Sequence, residues 1–201
     1  MKILNELEYQ IQAESILRRV FTNDDPTENP FSVNIPERLI VSPWDDVKTE
    51  LIEAIITAAS DSGDRNCYLT NFGRYTGEAN HCYVSLAELH DENAYLSYAT
   101  TVNGVSLDIF CWIDYVIYSD RGTWGIMISH ENFATIGGSS KFIYKLRELV
   151  PDLDRQAYPF LEKFKSLSVM LHRDFDWIPK LLTHIYGQDK AKQLSEEMEL
   201  M

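Results

Sequence analysis

Between Tyr75 and Asp120 the sequence contains no lysine and no arginine, while Glu78, Glu88, Asp91, Glu92, Asp108, Asp114 and Asp120 fall in the same stretch. Neutralising phosphate takes stripes of basic side chains, so this shortage disfavours nucleic acid and anionic membranes as direct partners. The imbalance extends to the whole chain, with 31 acids against 18 bases and a formal net charge of −13. Long apolar runs are missing as well. The richest stretch, Val105 to Tyr118, is interrupted by Asp108 and Asp114, short of the roughly 18 uninterrupted apolar residues of a membrane span. Glu6 stands where a signal peptide needs its apolar segment. Cysteine is scarce: Cys67, Cys82 and Cys111 are odd in number and scattered among apolar neighbours, as suits buried thiols in a reducing compartment. Together these features predict a cytoplasmic protein.

Metal and cofactor signatures are also lacking. His130-Glu131 begins like a zinc-protease helix, but the position for its second histidine is Ala134. His81, Cys82 and Cys67 have no paired spacing and no fourth ligand. Gly137-Gly138-Ser139-Ser140-Lys141 lacks the spacing of a phosphate-binding loop and reads as a tight strand-to-helix turn. No metal and no cofactor are expected.

What is present is a chain of 201 residues, 45% hydrophobic, able to bury one sizeable core. The expectation is a single domain over residues 1–201. Leu4, Leu7, Ile11, Leu17, Val20 and Phe21 recur near one face of a helix over about residues 5–21. Asn23 to Pro36, with three prolines, reads as a loop. Ser42-Pro43-Trp44-Asp45 reads as an N-cap followed by proline at the first helical position. Val47, Leu51, Ile52, Ile55, Ile56 and Ala59 then carry a helix over about residues 43–60, ended by Ser62-Gly63.

The period changes between about residues 67 and 137. Cys67 to Phe72, His81 to Leu86, Ala94 to Thr101, Val105 to Tyr118, Thr123 to Ser129 and Asn132 to Ile136 are rich in β-branched and aromatic residues. Ser119-Asp120-Arg121-Gly122 and Asn103-Gly104 are hairpin signals. Helices follow over about residues 139–199: one capped by Ser139 or Ser140 and stopped by Pro151, then Asp152 to Phe164, Asp174 to Tyr186 before Gly187, and Asp189 to Met198. Strands joined by short turns, with helices grouped before and after, predict an α+β fold: a central antiparallel sheet flanked by N-terminal helices and a C-terminal helical segment.

Read as one strand, Val105 to Tyr118 puts Leu107, Ile109, Cys111, Ile113, Tyr115 and Ile117 on a core face. The opposite face carries Asp108, Phe110, Trp112, Asp114, Val116 and Tyr118. That face is either a second packed layer or a recognition surface of aromatic anchors among carboxylates. On the recognition reading Asp108, Phe110, Trp112, Asp114 and Tyr118 bind a basic protein partner, with Glu88, Asp91 and Glu92 as rim acids.

Tyr118-Ser119-Asp120, Gly122, Trp124-Gly125-Ile126, Ser129-His130-Glu131 and Gly137-Gly138-Ser139 together resemble a segment of small bacterial immunity proteins from polymorphic or contact-dependent toxin systems. The resemblance covers about an eighth of the chain, and much of it is hairpin chemistry. It implies a protein that binds and blocks a cognate toxin, often a nuclease. Interfaces in such pairs differ from one to the next, so it implies no particular binding residues. Two other classes stay open: a structural or adaptor protein, and a small enzyme whose site assembles from dispersed residues such as His81, His130, Glu131 and Asp114.

Overall fold

The computed structural model describes residues 1–72, 80–90 and 114–197. Asp91, Glu92, Asp108, Phe110 and Trp112, the strand expected from Ala94 to Thr101, the turn at Asn103-Gly104 and Cys111 lie outside the described residues.

Among the described residues seven strands form one sheet in which every hydrogen-bonded neighbour is antiparallel. In chain order they are β1 (Lys2–Leu4), β2 (Glu37–Val41), β3 (Asn66–Asn71), β4 (Asn80–Ser85), β5 (Tyr115–Ser119), β6 (Trp124–Ser129) and β7 (Phe133–Gly138). Their order across the sheet is β1-β4-β3-β5-β6-β7-β2. The helices are α1 (Glu6–Gln12), α2 (Glu14–Val20), α3 (Trp44–Asp61), α4 (Ser140–Leu149), α5 (Ala157–Leu171), α6 (Trp177–Tyr186) and α7 (Gln188–Glu197). The fold is α+β, as the grouping of strands and helices implies.

Both faces of the sheet are covered. Strand alternation sends Cys67, Leu69, Tyr115, Ile117, Trp124, Ile126 and Ile136 into one core with α3 and α4. It sends Tyr68, Val116, Tyr118, Met127 and Ile40 into a second core with α1, α2, α5, α6 and α7. Every residue of β5, β6 and β7 is therefore buried, which explains why these strands read as continuous apolar runs. For Val116 and Tyr118 the alternative left open by the sequence resolves as a second packed layer.

Glycines let the second layer approach closely. Gly125 and Gly137 are cross-strand partners. A Cβ on Gly125 would stand 2.5 Å from Val20 Cγ1, and one on Gly137 would stand 2.6 Å from Ile35 Cγ2. The bare backbone pair is what allows the end of α2 and the 31–35 loop to rest on the sheet.

Local chemistry sets the boundaries. Ser139 caps α4 by accepting from the Phe142 amide, and Gly122, at φ +68°, closes the β5–β6 hairpin. The N-terminal segment departs from the expected single helix. It breaks at Ala13 into α1 and α2, and the buried row becomes Tyr9, Ala13, Leu17 and Val20 while Leu7 and Ile11 are exposed. The α3 start is shifted too: Pro43, not Ser42, occupies the N-cap position, without a side-chain cap, and Trp44 is the first helical residue. Past Pro151, residues Leu153–Arg155 form a short 3₁₀ turn before α5, where one helix from Asp152 is expected.

The strands β1 and β2 form the two edges and come from segments for which periodicity predicts no strand. The β2 edge is capped by α6, whose Tyr186 hydroxyl accepts from the Ile40 amide at 2.9 Å. Arg38 locks the same corner by donating to the carbonyls of Ile35, Ser32 and His184.

Candidate functional site

Of the residues expected to face a partner, Glu88, Asp114 and Tyr118 are described, and they occupy three different environments. Tyr118 is completely buried in the second core. Its ring stacks on Tyr68 and meets Phe21 edge-on, its hydroxyl lies 3.4 Å from Thr70 Oγ1, and burial raises its pKa. A ring with no exposed surface is a core residue, not a surface anchor.

Asp114, just ahead of β5, is also buried. Its Oδ1 accepts from the His130 amide at 2.9 Å and lies 2.8 Å from His130 Nδ1. An ionised carboxylate only accepts, so in this contact Nδ1 carries the proton. His130 and Glu131 form the β6–β7 turn with Asn132, which adopts φ +56°, a left-handed conformation asparagine tolerates. Glu131 Oε1 stands 3.7 Å from His130 Nε2, and the Glu131 carbonyl accepts from Lys163 Nζ on α5. Asp114 thus clamps a hairpin tip, and the same geometry orients an imidazole as a general base requires. Expected beside Asp108 and Trp112 on a partner-facing strand, Asp114 is instead buried.

The four side chains of a dispersed enzyme site are only partly gathered. Asp114, His130 and Glu131 meet, whereas His81 lies on β4, with β3 between it and β5. There it stacks on Tyr9 at 3.5 Å between ring centroids, with Nδ1 3.1 Å from Thr70 Oγ1. Burial lowers its pKa, as expected of a neutral core histidine. Among the described residues no group of three or more His, Cys, Asp or Glu is placed to hold a metal ion.

Glu88 is the one described rim acid with its carboxylate partly exposed. It receives bonds from the Met1 amine, the Ser85 amide at 2.8 Å and the Ser85 hydroxyl at 2.9 Å. These hold its pKa down to about 2, the amine contributing most. The contact places Glu88 beside the start of β1; Met1, Ile3, Leu7 and Ile11 are exposed. Periodicity assigns Leu7 and Ile11 to a core face, whereas the buried row runs through Tyr9, Ala13, Leu17 and Val20 and leaves both on the other side of α1.

A second carboxylate that sequence reasoning passes over is Asp64, which is buried. Its Oδ2 accepts from Trp124 Nε1 at 2.7 Å, Ser119 Oγ at 2.9 Å and Thr123 Oγ1 at 3.4 Å. This group joins the end of α3 to the β5–β6 hairpin. Its partners lie more than 50 positions away in the chain, so local spacing carries no signal for it. Compared with protein-family models, characterised proteins and solved structures, the chain has no significant match.

Proposed function

We propose that this chain is a stoichiometric binding protein that neutralises a basic protein partner, an immunity protein against a cognate bacterial toxin, acting in the cytoplasm. The observation that carries the reading is charge: −13 overall, with seven acids and no base between Tyr75 and Asp120. A negative surface raises the encounter rate with a cationic partner and selects against acidic ones. The resemblance of the Tyr118 to Ser139 segment to immunity proteins supports the same class, and a nuclease, which must itself be basic to hold phosphate, is the kind of toxin that fits.

The test is co-expression with the product of the adjoining reading frame. The reading expects restored growth, a 1:1 complex, and association that slows steeply as salt rises. Undiminished toxicity together with no complex at low salt would refute it.

The Asp114–His130 pair favours a second reading, a small enzyme with His130 as general base. His130→Ala separates the two: an enzyme loses its activity, whereas a binding protein still neutralises its partner.

A further inference from the structure

We draw no further inference here: the strongest candidate, the exposed apolar face that Leu7 and Ile11 form on α1, carries none because nothing in the structure shows what covers it.

Discussion

Replacing Asp64 by alanine should cost more stability than any exposed substitution in this protein. The carboxylate is buried at the turn after α3, and one of its oxygens gathers donors from Trp124, Ser119 and Thr123. The two hydroxyls keep a bond to each other at 3.1 Å when it is removed. The indole N–H of Trp124, a fully buried side chain, has no such substitute. Losing a hydrogen bond to a charged acceptor costs about 1.5–3 kcal/mol, and a buried donor left without a partner about 1–3 kcal/mol. Because the two quantities overlap, we expect about 3–5 kcal/mol, the range for breaking one side of a buried charged network. At about 2–4 °C per kcal/mol for a chain of this size, the midpoint should fall by roughly 6–20 °C. Asp64→Asn keeps the shape and an acceptor and should lose about 1–2 kcal/mol. Arg121 reaches only 3.6 Å from the other oxygen and is more than half exposed, so Arg121→Ala should lose less than about 1 kcal/mol. The assay is urea unfolding followed by far-ultraviolet circular dichroism, with Trp124→Phe closing a double-mutant cycle. A loss below about 1 kcal/mol for Asp64→Ala, or strict additivity with Trp124→Phe, would refute the assignment of the indole–carboxylate bond as the centre of this network.

Gly137→Ala should destabilise by about 1–3 kcal/mol through overpacking, because its Cβ would lie 2.6 Å from Ile35 Cγ2 and 2.8 Å from Phe31 Cε1; thermal melting against wild type reads the loss directly. Stability should also depend on His184. Burial, aided by the neighbouring Arg38 guanidinium, lowers its pKa to about 4 from the ordinary 6.5. The unfolded chain then binds the extra proton first, so this contribution is complete above about pH 6.5 and is lost as pH falls towards 4. Urea midpoints for wild type and His184→Gln should therefore converge over that window, and a constant difference between them would contradict the reading.

How far the sequence reaches depends on the kind of contact involved. In α3 the spacing of Leu51, Ile55, Ile56 and Ala59 identifies the buried face, because those residues pack on one continuous sheet and repetition alone reports it. In α4 the spacing of Phe142, Ile143 and Leu146 does the same, while Leu149, which shares the period, is exposed at the end of the helix. The N-terminal segment is different. The apolarity of Leu7 and Ile11 is plain, but periodicity cannot distinguish a residue that meets the core from one that awaits another surface. The edge strands β1 and β2 escape because three and five residues are too short for alternation to stand out beside Pro36 and Pro43. Asp64, Arg38 and Tyr186 act through partners far away in the chain. At the candidate site, Asp114 and His130 are recognisable as residue types, while their 2.8 Å contact depends on the register that brings the start of β5 beside the β6–β7 turn.

That register also constrains where recognition takes place. A strand exposing carboxylates between aromatic rings makes a persuasive docking face only if one side of its sheet is open. Here Tyr115 and Ile117 enter one core while Val116 and Tyr118 enter the other, so in the described part of this strand neither face remains for a partner. The β2 edge is closed in part by Tyr186 and Arg38. Among the described residues, free surface lies on the outer sides of helices, in loops and at strand ends, where exposed side chains have no packing role to conflict with binding. Charge still has its part in that arrangement, since long-range attraction needs only the sign of the surface, while the short-range anchors have to stand clear of the core. Leu7 and Ile11 meet that second condition, and the aromatic ring of Tyr118 does not.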